Sequence, residues 1–138
     1  MPFVLDNSVV SAWLIGSQAT AYSAAIAARL QQERAVAPSL LVLEYTNVLR
    51  TACKRQAMVV AQAQEALGLL AQLLIDIDAE QPDPPKILDL ALRHDLTSYD
   101  AAYLDLALRR RLPIATQDTE LATAARVAGV GVVAIKPT

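Results

Sequence analysis

One cysteine, Cys53, and one histidine, His94, are the only residues of those two types in the 138-residue chain. A lone cysteine excludes an internal disulfide, and no Cys or His partner stands at zinc-ligand spacing, which fits a reducing compartment. His94 lies in LALRHDL near an expected helix C-terminus, where an imidazole satisfies carbonyls and the helix dipole, so its default role is structural. No apolar run is long and charge-free enough to span a bilayer. The start also lacks a basic leader: MPFVLDNS reaches an acid after five residues, and a cytoplasmic location is expected. Net positive charge is missing as well. Twelve Lys and Arg against fourteen Asp and Glu leave −2, with a pI near 5.3, which argues against broad binding to polyanions. A nucleic-acid substrate would therefore need local basic patches to offset the acids.

What is present is apolar. Hydrophobic residues make up 54% of the chain and the mean hydropathy is +0.33, in a length that suits one domain with one sizeable core, so residues 1–138 are expected to form a single domain. The runs FVL, AVA, LLIDIDA, PIAT and VVAI are short and strand-like, and Ala- and Leu-rich stretches of helical spacing separate them. That alternation predicts an α/β fold with a mostly parallel sheet covered by helices. Ser39 is placed to cap a helix from Leu40, Thr97 or Ser98 to cap one through Leu108, and Gly129 to end one containing Leu121 and Val127. QPDPPK reads as a loop leading into the helix KILDLALRH, and no repeat or low-complexity tract occurs.

The acids carry the chemistry. FVLDNS and PIATQDTEL each end an apolar run in an aspartate, Asp6 and Asp118, and the carboxyl ends of parallel strands are where ligands gather. Each aspartate alone reads by default as the N-cap of the next helix. Asp100, three residues after Thr97, has the spacing of a capping box, yet the first turn of a helix leading into PIAT also brings it towards the Asp118 edge. Glu44 is harder to explain structurally. Its same-face neighbours in LLVLEYTNVL are Leu40, Leu41, Asn47 and Val48, and a carboxylate on so apolar a surface calls for a shifted pKa, an ion pair or a metal. Four converging carboxylates would repel one another unless divalent cations held them ionised. An all-oxygen set suits Mg²⁺ or Mn²⁺, which can activate water and stabilise a leaving oxygen in phosphodiester hydrolysis.

Taken in order and spacing, FVLDNSVVSAWL, LLVLEYTNVL, SYDAAYLDLA and IATQDTEL resemble the PIN-domain ribonucleases, most closely the VapC toxins of bacterial toxin–antitoxin pairs, over nearly the whole chain. The resemblance implies a three-layer α/β/α sandwich and a Mg²⁺- or Mn²⁺-dependent endoribonuclease. It places the family's catalytic and metal-binding acids on Asp6, Glu44, Asp100 and Asp118, with Ser8, Asn47 and Thr116 in support. It further implies a homodimer, inhibition by a cognate antitoxin, contact with operator DNA only through that antitoxin, and no membrane association. Asn7 stands where the family often has Thr, and Asp105, five residues beyond Asp100, should face elsewhere.

Basic residues fall in two groups. Arg109, Arg110 and Arg111 close a helix, where cations favour the dipole, so a solvated cluster is the default reading. Arg50, Lys54 and Arg55 follow Glu44 on one helix and rank ahead as RNA contacts, Arg50 and Lys54 sharing a face. The Ala-rich TAYSAAIAARLQQER permits close packing against the core, a second subunit or an antitoxin. A rival reading is a phospho-acceptor receiver domain, suggested by similar length and alternation and by Lys136–Pro137. The single Asp6 after the first strand and the lack of a helix after that pair oppose it.

Overall fold

The computed structural model describes residues 1–134. Four strands, β1 (Phe3–Leu5), β2 (Ala35–Pro38), β3 (Ile75–Asp78) and β4 (Ile114–Ala115), pair in parallel in the order β3-β2-β1-β4. Between them run α1 (Asn7–Leu14), a 3-10 turn (Gly16–Gln18), α2 (Ala21–Arg29), α3 (Leu40–Lys54), α4 (Val60–Ala71), α5 (Pro84–His94) and α6 (Ser98–Arg110), with α7 (Thr119–Val127) after β4. Among the described residues the expected strand VVAI shows as one parallel bridge between Val132 and Ile114; Ile135 and the Lys136–Pro137 pair lie outside them.

The strand order fixes the layers. From β1 through β2 to β3 the chain moves one way, and right-handed crossovers put α1 to α4 on one face. It then returns past β1 to β4, which puts α5 and α6 on the other, where α6 packs on α5, α7, β1 and β2. The result is the expected three-layer α/β/α sandwich. β1 lies at its centre with Phe3, Val4 and Leu5 fully buried. Its neighbours leave in opposite directions, so the crevice at the carboxyl end of β1 and β4 is a topological switch point, where open α/β sheets hold ligands.

Edges and caps explain the rest. Strand β3 is an edge, and its alternating IDID blunts it with charge: Asp76 pairs with Arg34, and Asp78 with Arg109 and Arg110. Thr97 caps α6, its hydroxyl accepting the Asp100 amide at 3.1 Å. Gly129, one residue past the end of the α7 cap, takes φ 83°, the left-handed conformation that a glycine enters without strain. Pro84 and Pro85 open α5, where a missing amide hydrogen is harmless. Ser39 departs from expectation. Its backbone is already helical, at φ −60° and ψ −25°, and its side chain makes no cap bond, because a cap needs an extended residue to aim its oxygen at the following amides.

The Arg109–Arg110–Arg111 cluster also needs correction, because it is not simply solvated. Arg109 bridges Asp78, Glu80 and Asp105 at 2.7–2.9 Å, and Arg110 pairs with Asp78. These guanidiniums are bound to acids on β3, on the following loop and one turn back on α6. Burial works to raise the Asp78 carboxyl, but its two arginine partners outweigh that and hold it below its ordinary value. Asp105 is buried and faces this network, with Lys86 Nζ 3.0 Å from its second oxygen as an ion pair without directed hydrogen-bond geometry.

Candidate active site

Four backbone features carry the four acids to one edge. The Asp6 amide donates to the Ala115 carbonyl at 3.0 Å, the last rung of the β1–β4 ladder, which sets Asp6 beside Thr116. Asp118 begins α7 two residues later, Asp100 lies in the first turn of α6, and Glu44 lies in the second turn of the helix that leaves β2. Across the sheet edge the order is therefore Glu44, Asp6, Asp118, following β2-β1-β4.

Hydrogen bonds separate the two oxygens of each aspartate. Asp6 Oδ2 accepts from Ser8 Oγ and Thr116 Oγ1, both at 2.7 Å, and more weakly from the Ser8 amide at 3.4 Å. Asp118 Oδ1 accepts the amides of Glu120 at 2.9 Å and Leu121 at 3.2 Å. Both residues are helix N-caps. In each, no amide or hydroxyl donor among the described residues reaches the other oxygen, so capping leaves an acceptor lobe to spare. Asp100 differs: Thr97 does the capping, and the Asp100 carboxyl does not close a capping box but approaches that of Asp118 within hydrogen-bonding reach.

Sequence reasoning missed two further parts. Tyr103, one turn after Asp100, is fully buried and donates its hydroxyl to Glu44 Oε1 at 2.6 Å. Burial and this bond to a carboxylate push the phenol well above its ordinary value, so it remains a donor. Gln117 ties the β4 loop to α1, its amide donating to Ser8 Oγ at 2.8 Å and its side chain to the Ser8 carbonyl at 3.1 Å, while Thr20 donates to its Oε1. Tyr103 was detectable as the residue three after Asp100 on the same helix face. Gln117 had no comparable signal.

Electrostatics binds the set together. Burial pushes Asp6 up; the Ser8 and Thr116 hydroxyls pull it back, the Asp118 charge adds to the rise, and the net direction is upward. Glu44 is raised by burial, lowered by Tyr103 and raised by Asp6. Asp100 is pushed up to about 7, first by burial and then by the charges of Asp118, Asp6 and Glu44. One carboxyl thus registers the other three. Among the described residues no three His, Cys, Asp or Glu side chains stand close enough to cage a metal on their own. That is compatible with an open oxygen site, since Mg²⁺ binds through one or two carboxylates and keeps several waters. The spare oxygens of Asp6 and Asp118 and the mutual repulsion recorded at Asp100 fit such a cation. Among the described residues no donor reaches the buried Asn7 Oδ1.

Of the supporting residues, Ser8 and Thr116 meet on Asp6, their hydroxyls 3.3 Å apart. Asn47 is exposed on α3 and does not bond to Glu44. An open pocket of about 460 Å³ adjoins the acids on the far side of Asp118, lined by Thr116, Gln117, Tyr22 and Arg126 among others.

A parallel sheet with carboxylates gathered at its switch point defines an α/β protein with an acidic, oxygen-only edge site. The PIN domain family model matches residues 3–127, and the chain belongs to the PIN-domain family. Ribonuclease VapC1 of Mycobacterium tuberculosis, in strains CDC 1551 / Oshkosh and ATCC 25618 / H37Rv, is 34% identical over 123 residues, 88% of this chain and 89% of that relative. Among solved structures, the crystal structure of PAE2754 from Pyrobaculum aerophilum superposes with a TM-score of 0.73 at 23% identity, covering 96% of this chain and 88% of that one. That last likeness concerns the fold alone.

Proposed function

We propose that this protein is a divalent-metal-dependent endoribonuclease of the VapC kind, with Asp6, Glu44, Asp100 and Asp118 as its catalytic and metal-binding acids and residues 1–138 acting as one PIN domain. The observation that carries the reading is Asp100, raised to about 7 by burial and by three other carboxylates that stand at the ends of separate elements. Evolutionary kinship to Ribonuclease VapC1 supports RNA as the substrate. A bound Mg²⁺ or Mn²⁺ would supply charge neutralisation and a water acidified enough to attack a phosphodiester. Asp6 and Asp118 each offer the oxygen not used in capping. Ser8 and Thr116 hold Asp6 in one orientation, and Tyr103 does the same for Glu44. The receiver-domain reading finds no support in the family match or the relatives.

The remaining partners follow from kinship and are proposed with it: a cognate antitoxin that binds the protein and itself contacts operator DNA, a second copy in a homodimer, and a cytoplasmic location. No helix among the described residues is long and apolar enough to cross a membrane.

Asp→Asn substitution separates the roles, because Asn retains much of the capping ability but loses the charge. Asp6→Asn, Asp100→Asn and Asp118→Asn should fold and lose Mn²⁺-dependent RNA cleavage by about two orders of magnitude or more, the scale expected when transition-state charge stabilisation is removed. Retained cleavage in all three would return these residues to structural capping.

A further inference from the structure

Beyond the acids, the face of α3 that carries Glu44 continues into a groove of about 300 Å³, closed on its other side by the end of α1 and the 3-10 turn. Its floor is apolar, with Ile15 and Val48, and its polar groups come from Gln18, Asn47, Thr51 and Arg55. None of these four side chains makes a hydrogen bond or ion pair among the described residues, whereas the hydroxyl of nearby Thr46 is taken up by the Val42 carbonyl. Single-stranded RNA offers unstacked bases that are read by hydrogen bonds to their edges and stacked on guanidinium planes, and uncommitted polar groups with an arginine beside an apolar floor can supply both.

Helix geometry selects one basic residue of three. At 3.6 residues per turn, Val48, Thr51 and Arg55 return to within about 40° of the direction of Glu44, while Lys54 and Arg50 fall about 80° and 120° away. Arg55 alone of the three lines the groove. It lies about 16 Å along the axis from Glu44, with Thr51 about 10 Å along, so the groove leads away from the acids. Glu44 is the outermost acid on the β2 side of the edge, and the groove therefore flanks the site opposite Asp118.

We propose that this groove is a substrate subsite that holds the single-stranded RNA chain on one side of the scissile bond, with Asn47 and Thr51 meeting base or ribose edges and Arg55 a backbone phosphate. The proposal deepens the ribonuclease reading and rests on it. Arg55 is a positioning residue here, remote from the reacting phosphate, so its loss should weaken RNA binding without slowing chemistry in the bound complex. Arg50 and Lys54 contribute only general attraction.

The test uses the full chain with labelled single-stranded RNAs, reading binding in chelator on an Asp118→Asn background and steady-state cleavage in Mn²⁺ with Asp118 intact. Arg55→Gln, Arg50→Gln and Lys54→Gln remove the same charge. Arg55→Gln should weaken binding about tenfold or more, as loss of a charge-assisted hydrogen bond predicts, and raise KM with kcat nearly unchanged. Arg50→Gln and Lys54→Gln should cost about two- to threefold, alike on every RNA. Ala57→Leu, which fills the groove without altering charge, should reproduce the Arg55→Gln effect on KM. Equal losses in all three charge variants, or a fall in kcat alone, would overturn the subsite while leaving the ribonuclease reading intact. A wild-type protein that neither binds nor cuts RNA would overturn both.

Discussion

Asp100 is where the cost of assembling this site is concentrated. Its carboxyl is held near 7 in the folded chain against an ordinary value of 3.8, so between those values the native state binds more protons than the unfolded one. Metal-free stability should therefore fall as pH rises from about 4 to about 8, by this residue's share. Asp100→Asn cannot ionise, so it should already melt above wild type at pH 5 and the gap should widen by pH 8, both in chelator. Parallel melting profiles for the two proteins would contradict the shift. Glu44→Gln should behave similarly at neutral pH, because removing its charge relieves repulsion with Asp6 and Asp100. Its melting shift on adding Mn²⁺ should shrink relative to wild type as affinity falls; an undiminished shift with full activity would remove Glu44 from the site. Much of this was legible in the sequence at single residues. Asp6 and Asp118 terminate apolar runs, and Glu44 is conspicuous because its helix neighbours are apolar. The Tyr103 bond to Glu44 was not legible, because it joins helices from opposite faces of the sheet that only folding brings together. The division of each aspartate into a capping oxygen and a spare one is likewise a fact of geometry that residue type does not encode.

Among the elements, α6 does two jobs at its two ends. Its first two turns present Asp100 and Tyr103 to the acidic edge, while its last turn holds Arg109 against Asp78, Glu80 and Asp105. Asp78 and Asp105 are buried, so removing the cation leaves charges with fewer partners in a dry setting. Arg109→Ala should destabilise the chain by about 2–3 kcal/mol, below the usual loss for breaking a fully buried pair because Lys86 and Arg110 remain as partial partners. Urea melts would read it, and a change under about 0.5 kcal/mol, the size of an ordinary surface substitution, would reduce the network to surface decoration. Two local signals pointed here, Asp105 at four residues before Arg109 and the alternation in IDID, which turns Asp76 and Asp78 to one side of β3. Neither named its partner on another element. The Ser39 cap failed for a related reason: the residue type suits a cap, but the turn from β2 had already placed its backbone in helical space.

At the scale of the whole molecule, a nuclease of the toxin kind should be harmful to the cell that makes it. Induction alone should halt growth, and co-expression of a small protein encoded beside it should restore growth through direct binding; harmless accumulation of folded, active enzyme would count against the toxin role. A mostly parallel sheet covered by helices was readable from the strand and helix alternation, because few ways exist to bury so much apolar surface in one α/β sheet, while the three-layer order came with the family resemblance. The position of the switch point required the strand order itself. The most direct test of the account is calorimetric titration of the metal-free protein with Mn²⁺ in buffers of differing ionisation heat, at pH 6.5 and again at pH 8.5. A cation that needs Asp100 ionised must displace its proton, so binding should release a large fraction of one proton per site at the lower pH and much less at the higher. Absence of binding, or binding at pH 6.5 without proton release, would contradict a metal centre built on these four carboxylates.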